Sequence, residues 1–309
     1  MGTREIVLSA VVPAVVSVVV LLIASVALGR AQRAESEEAA SSRHGPVALG
    51  ALFVVLLAGG VVLGSYAWQS EVSLWEQSVT HRVPAMGLAA LAVGLAGVLT
   101  PVRRSAIGLG ALAAAGGWFV GWAVLSGLHA SLIGETERWA WIGGVGVIAG
   151  VQAWAMTRGA RVLPGWRGSG LVWLVMGVGA LGATAGLANA PLVLFPIAAA
   201  VFGLAVVGLM RQDADLLAGA TPAIAVMFMG VLSLSQWFGS EERWVMFGLL
   251  SAGPVAIGMA ALLGGKPTWA RLVVAGVVSL GLVGAQAAVS VPALIEASSG
   301  SGDEDYYDY

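Results

Sequence analysis

The sequence predicts an all-α polytopic transmembrane helix bundle of about ten spans. Of its 309 residues, 58% are hydrophobic and only 10% are charged, and the mean hydropathy is +0.89. A typical soluble domain carries about 25% charged residues, so this composition excludes a cytosolic enzyme. The chain has no cysteine, which also excludes disulfide scaffolds, thiol catalysis, iron–sulfur clusters and cysteine zinc sites.

Ten apolar stretches approach the roughly 20 residues that a helix needs to cross a bilayer core. None of them contains Lys, Arg, Asp or Glu, as expected from the cost of placing a charge at the bilayer centre. The first is too long for a cleaved signal peptide, so we expect a retained helix. The sixth and seventh meet with almost no loop, and the count becomes eight if that hairpin does not cross. The predicted spans are residues 6–29, 47–67, 84–100, 106–130, 139–157, 171–189, 191–210, 216–238, 245–264 and 272–292.

Basic residues divide unequally between the connections. Those after the odd-numbered spans hold eleven of the 15 Lys and Arg residues, and the opposite side, with both termini, holds four. The positive-inside rule therefore places both termini outside, in the periplasm of a bacterial host. The predicted location is the cell inner membrane. Acidic residues concentrate on the outer side, so the two faces carry opposite net charges.

Two regions follow from composition. Residues 1–292 form the predicted helical bundle, and residues 293–309 form a flexible acidic tail that holds three of the four tyrosines. The acidic outer loops and the tail are the surfaces on which a protein partner could dock, and the alternative is that they are only solvated. The lipid bilayer is the partner that the composition requires. Nothing indicates nucleic acid, and the sequence does not define an oligomeric state.

A five-span period relates parts of the chain. The segment around Gln152 in span five resembles the segment around Gln286 in span ten, since both read Gly-X-Gln-Ala. Pro84-Ala-Met in span three likewise resembles Pro222-Ala-Ile in span eight. An odd number of spans per repeat gives two halves of opposite topology, a common transporter plan. We therefore predict a 5+5 inverted repeat in which Gln152 and Gln286 occupy equivalent positions.

Ionisable chemistry is nearly absent from the spans. His129, near the outer end of span four, is the one ionisable residue within them, which argues against a carboxylate-driven proton pump. There is no catalytic constellation and no phosphate-binding loop of the Walker type, so we predict neither an enzyme nor a cofactor. His81 and His129 lie on the outer side near carboxylates and are candidate metal or haem ligands, but they lack a ligand spacing. Interfacial histidine without a ligand is the alternative.

Polar residues and prolines within the spans are the candidate substrate-binding residues. A buried amide needs a partner, so these side chains should face other helices or a water-filled cavity. Proline frees a backbone carbonyl, and transporters use such broken helices at their binding sites. The candidates are Gln152, Gln286, Asn189, Gln236, Thr221, Pro222 and Pro254.

These features predict a secondary transporter of a small uncharged or cationic solute, in which one half rocks against the other. In length and span count the chain resembles the drug/metabolite transporter superfamily. That family normally keeps both termini in the cytoplasm, so no site is carried over. The alternative is a non-catalytic membrane subunit or assembly scaffold that docks partners through its acidic outer loops and tail. A transporter should retain a midplane cavity lined by Gln152 and Gln286, whereas a scaffold should be packed solid.

Overall fold

A computed structural model describes residues 11–35, 44–69, 83–126, 133–183, 190–210, 217, 219–238 and 244–299. Within these ranges the chain has eleven α-helices, a 3-10 turn at Pro101–Arg104 and no strand, which confirms the predicted all-α class. The helices are α1 (Val12–Glu35), α2 (His44–Gln69), α3 (Val83–Leu99), α4 (Ala106–Leu125), α5 (Glu135–Val162), α6 (Trp166–Ala183), α7 (Ala190–Met210), α8 (Thr221–Phe238), α9 (Trp244–Ala256), α10 (Met259–Leu262) and α11 (Thr268–Ser299).

The lengths and surfaces of these helices suit a membrane protein. Large aliphatic side chains are exposed on the outside of the bundle, among them Val15 and Ile23 of α1 and Val277 of α11. An apolar surface of this extent indicates contact with a membrane. Five shorter apolar helical segments accompany four that are long and apolar enough to cross a bilayer. Those four, among the described residues, are Ala106–Leu125, Glu135–Val162, Val193–Met210 and Thr268–Ser290.

Helices α4 and α5 form the most extensive helix contact in the described part of the chain. Glycine allows it: a Cβ added at Gly146 would lie 2.9 Å from the Ala114 carbonyl oxygen. A Cβ added at Gly150 would lie 2.9 Å from the Gly110 carbonyl oxygen. The small-xxx-small spacing places both glycines on one face of α5. Later residues of α5 contact earlier residues of α4, so the two helices are antiparallel.

Helices α6 and α11 instead run parallel. A Cβ added at Gly276 would lie 3.8 Å from Leu171, and one added at Gly182 would lie 3.5 Å from the Ala287 nitrogen. Later residues of α6 therefore contact later residues of α11. Parallel packing is expected for the sixth and tenth apolar stretches of a chain that reverses direction at each connection. The N-terminal ends of α6 and α11 consequently lie at the same end of the bundle. That basic end carries Arg167 and Arg271 in the first turns of the two helices, and Arg161 shortly before α6.

Helix α8 lies at the centre of the bundle. It contacts α3, α4, α5, α6, α7 and α9, and every residue from Thr221 to Gln236 is buried. A helix that is apolar on all sides is stable only when other helices or lipid surround it. Here other helices surround it, since Val226, Met227 and Phe228 are each 0% exposed. Any polar side chain on α8 is therefore held away from lipid.

The structure does not confirm the ten crossings or the repeat. Nine of the ten predicted spans overlap one helix each, and the segment 245–264 is divided between α9 and α10. The repeat requires that contacts in one half recur in the other. Helix α6 packs against α11, but their counterparts α1 and α5 make no comparable contact between their described residues. The span count and the inverted repeat stay predictions.

Candidate functional site

Three polar side chains of α8 and the thioether of Met229 lie within about a third of the circumference of that helix. Thr221, Met229 and Ser233 are separated by multiples of four residues, and Gln236 follows three residues later. These spacings place side chains above one another on a helix. All four residues are buried. At 1.5 Å per residue they extend over about 22 Å, most of the roughly 30 Å hydrocarbon core of a bilayer. We name Thr221, Met229, Ser233 and Gln236 the α8 stripe.

Gln152 of α5 meets the middle of the α8 stripe. Its side chain is 0% exposed, and its Nε2 donates to the Ser251 carbonyl oxygen of α9 at 3.0 Å and to the Met229 sulfur at 3.3 Å. Pro254 lies inside α9 and offers no N–H to the Leu250 carbonyl, so the helix ladder is weakened beside Ser251. The Oε1 of Gln152 has no hydrogen-bond partner among the described residues. An amide acceptor is therefore available next to the α8 stripe.

Thr157 and Thr221 join α5 to α8 where the α8 stripe begins. Their hydroxyl oxygens lie 2.7 Å apart, and Thr157 also donates to the Ala153 carbonyl oxygen at 2.7 Å. Pro222 follows in the first turn of α8, where a missing N–H removes no helix bond. Pro222 therefore starts α8 and does not interrupt it.

Helices α9 and α10 form one interrupted helix that packs against α5. Helix α9 ends at Ala256, two residues after Pro254, and a turn at Ile257 and Gly258 separates it from α10. A Cβ added at Gly258 would lie 2.9 Å from the Ala155 Cβ of α5, so only glycine fits this approach. Interrupted helices occur at transport sites because their freed backbone groups can bind a solute. The interruption begins six residues after Ser251, whose carbonyl Gln152 contacts.

Three further buried side-chain oxygen atoms have no hydrogen-bond partner within the described ranges. They are the Oε1 of Gln236 and the Oγ of Ser235 in α8, and the Oγ of Ser279 in α11. Burying an amide or hydroxyl without a partner costs about 1–3 kcal/mol in proteins. Water or a bound solute is therefore favoured at such atoms. With Gln152, they give the core unused hydrogen-bonding capacity on α5, α8 and α11.

Gln286 lies in a different helix contact from Gln152. Its Nε2 donates to the Ser290 hydroxyl at 3.1 Å, and that hydroxyl lies 2.9 Å from the Gly182 carbonyl oxygen of α6. This bond joins α11 to α6, whereas Gln152 joins α5 to α8 and α9. The two glutamines share no hydrogen bond, although the sequence predicts a common site for them.

Two cavities lie away from the α8 stripe. One of about 380 Å³ opens between α6, α7 and α11. The other, of about 310 Å³, lies where α4 ends and α5 begins, and Trp122, Glu135 and Arg138 contribute to its lining. Neither cavity is lined by Gln152 or Gln286. The predicted midplane cavity is therefore neither of these two.

Several predicted residues cannot be placed. Asn189, His81 and His129 lie outside the described residues, as does the acidic end of the C-terminal tail. In the part of the chain that the structure describes, no group of three His, Cys, Asp or Glu side chains could hold a metal ion. Glu135 and Glu137, at the predicted outer end of α5, are exposed.

Sequence reasoning missed four residues of this region: Thr157, Met229, Ser233 and Ser235. The spacing of Thr221, Ser233 and Gln236 along one apolar segment was a signal that could have found the stripe. Met229 gives no such signal, because methionine is an ordinary member of an apolar helix.

No family model matches this chain, and neither the curated proteins nor the solved structures include a significant match to it. The functional assignment therefore rests on the α8 stripe and the residues that contact it.

Proposed function

We propose that this protein transports a small uncharged or cationic solute along the α8 stripe. The observation that carries the proposal is a buried polar column in the centre of an apolar bundle, formed by the α8 stripe and Gln152. Polar side chains inside a membrane protein are costly and commonly mark a substrate path. An entirely apolar α8 would suffice if packing were its only role.

The chemistry of the column limits the class of solute. Its unused atoms include the amide oxygens of Gln152 and Gln236, which are hydrogen-bond acceptors. No residue between 221 and 238 is charged, so the column offers no counter-ion to an anion. Acceptors without a positive charge favour a solute with N–H or O–H donors, such as a small alcohol, amide or ammonium ion.

The interrupted helix α9–α10 supplies the moving element in this proposal. The bond from Gln152 to the Ser251 carbonyl holds the middle of α9 against α5. A solute that donates to the free Oε1 of Gln152 and turns the amide breaks the Nε2 bond to the Ser251 carbonyl, and α9 can then move about the turn at Ile257 and Gly258. The pair Thr157 and Thr221 keeps α5 and α8 together during this step.

Transport is tested by reconstituting the full chain into liposomes and recording swelling by light scattering in glycerol, urea and methylammonium. The substitution Gln152→Leu should lower the flux about tenfold, the effect of losing roughly one hydrogen bond to the solute. Ser290→Ala is the matched control, because it removes an interhelical bond away from the α8 stripe. No flux above that of empty liposomes for any of the three solutes would contradict the proposal.

A second candidate function is that of a non-catalytic membrane subunit or scaffold, and the close packing of the core favours it. Backbone atoms meet at Gly146 and Gly150, and Gln152 bonds other helices and lines neither cavity. The exposed Glu135 and Glu137, together with the acidic tail, would then form the docking surface. A stoichiometric partner that is lost when residues 293–309 are deleted, in a protein without flux, would favour this function.

A further inference from the structure

The cavity between α6, α7 and α11 is an apolar groove. Its walls include Leu171 and Trp173 of α6, Phe202 of α7 and Leu280 of α11. The rings of Trp173 and Phe202 pack against each other with their centroids 4.9 Å apart. None of the lining residues belongs to the α8 stripe, so the groove is separate from the proposed transport path.

The mouth of the groove is basic. Arg167 lines it from the first turn of α6, and Arg271, in the first turn of α11, directly precedes the lining residue Leu272. The Nε of Arg271 is buried and has no hydrogen-bond partner within the described ranges. Among the described residues, no acidic side chain lines the groove. Because α6 and α11 run parallel, the positive ends of both helix dipoles add to this charge. The mouth therefore complements an anion.

The length of the groove matches one leaflet of a bilayer. Along α6 it extends from Trp166 to Leu174, about 12 Å at 1.5 Å per residue. Half of a hydrocarbon core is about 15 Å thick. Trp166 and Trp269, near the starts of α6 and α11, are 37% and 68% exposed. Tryptophan is typical of the headgroup level, so the basic mouth lies at the depth of lipid phosphates.

We propose that this groove binds one acyl chain of an anionic phospholipid, with the lipid phosphate held between Arg167 and Arg271. Guanidinium groups match the geometry of phosphate oxygens, and basic pockets between transmembrane helices bind anionic headgroups. The apolar walls take the chain, which a free phosphate lacks. This site lies in the leaflet on the basic side of the bundle, and it does not depend on the transport proposal.

Native mass spectrometry of the delipidated full chain in detergent tests this site, with phosphatidylglycerol and phosphatidylcholine added in parallel. Phosphatidylglycerol should bind about tenfold more tightly, and Arg167→Gln or Arg271→Gln should each remove most of that preference. Arg104→Gln is the matched control, because Arg104 carries the same charge in the 3-10 turn but neither lines the groove nor adjoins a lining residue. Equal binding of the two lipids, or an equal effect of Arg104→Gln, would overturn the proposal.

A second variant separates chain binding from charge. Gly276→Leu places a side chain in the groove while both arginines stay, so it should weaken phosphatidylglycerol binding about tenfold without restoring phosphatidylcholine binding. Displacement of the lipid by millimolar inorganic phosphate would assign the mouth to a free anion and overturn the acyl-chain site. A lipid-free dimer that Gly276→Leu dissociates would assign the groove to a second copy of this chain, with the same consequence.

Discussion

The side-chain amide of Gln152 donates to the backbone carbonyl of Ser251 at 3.0 Å, three residues before the proline inside α9. A side chain of one helix therefore bonds to the backbone of another within one turn of the proline in the second helix. This relationship links α5, α8 and α9 in the centre of the bundle.

Replacing Pro254 with alanine should stabilise the fold and slow transport. Pro254→Ala restores an N–H for the Leu250 carbonyl, and an interior proline costs a helix about 3 kcal/mol. The unfolding temperature in detergent should rise, while a stiffer α9 should lower the flux in liposomes. Pro196→Ala is the control, because Pro196 also lies inside a helix but packs against Gly60 of α2. If both variants lower the flux equally, α9 is not the moving element.

Two glycines on the same helix should respond oppositely to alanine. Gly146→Ala places a Cβ 2.9 Å from the Ala114 carbonyl oxygen, whereas a Cβ at Gly144 has nothing within 4 Å. We expect Gly146→Ala to destabilise the protein by about 1–3 kcal/mol through overpacking. Gly144→Ala should instead stabilise it by up to about 1 kcal/mol, because alanine favours helix. Thermal unfolding of both variants measures the difference, and a change of the same sign in both would contradict the α4–α5 contact.

The hydroxyl pair of Thr157 and Thr221 should be energetically coupled. Measured interhelical hydrogen bonds in membrane proteins average about 0.6 kcal/mol. A double-mutant cycle with Thr157→Val and Thr221→Val should give a coupling of about 0.5–1.5 kcal/mol in the free energy of unfolding. The same cycle between Thr157→Val and Ser290→Ala should give none, since those residues lie in different helix contacts. Strictly additive effects of the two threonine variants would show that the 2.7 Å approach contributes no stability.

Introduced cysteines should report a water-accessible column. Because the chain has no cysteine, any labelled thiol is the introduced one. Ser233→Cys and Gln236→Cys on the α8 stripe should react with a membrane-impermeant thiol reagent, although both residues are buried. Val277 is 67% exposed in the isolated bundle. A cysteine at this position should nevertheless stay unreactive, because lipid covers it in the membrane. Labelling at Val277→Cys with none on the α8 stripe would contradict both the proposed transport path and the contact of Val277 with lipid.

The orientation of the chain is also testable. The excess of basic residues after the odd-numbered spans predicts that both termini are periplasmic. Alkaline phosphatase fused to the C-terminus should therefore be active, and a cytoplasmic reporter at the same position should be inactive. The opposite pattern would reverse the assignment of the basic end of the bundle to the cytoplasm.

The sequence was sufficient to predict most of the helices, because nine of the ten apolar stretches each overlap one helix, whereas the turn at Ile257 and Gly258 inside the stretch 245–264 was not predicted. It could not predict which helix is central. Val15 and Ile23 of α1 face outward, whereas Val226 and Met227 of α8 are fully buried. Lipid and neighbouring helices are equally apolar surroundings, so hydropathy does not distinguish them. Only tertiary packing does so.

The two matching glutamines illustrate the same limit at the candidate site. Gln152 and Gln286 occupy similar local sequences, yet one bonds α9 and the other bonds Ser290 beside α6. A local motif defines what a side chain can donate or accept, but the arrangement of helices decides what it meets. The thioether of Met229 and the hydroxyl of Thr157 belong to the site only because the packing of the helices places them there.

The central position of α8 has a consequence for biogenesis. Helices α3, α4 and α5, against which α8 packs, leave the ribosome well before it does. Those helices therefore cannot reach their final packing until α8 has been synthesised and takes its place between them. A chain released after α7 would lack the central helix, so the core of the bundle can form only late in synthesis.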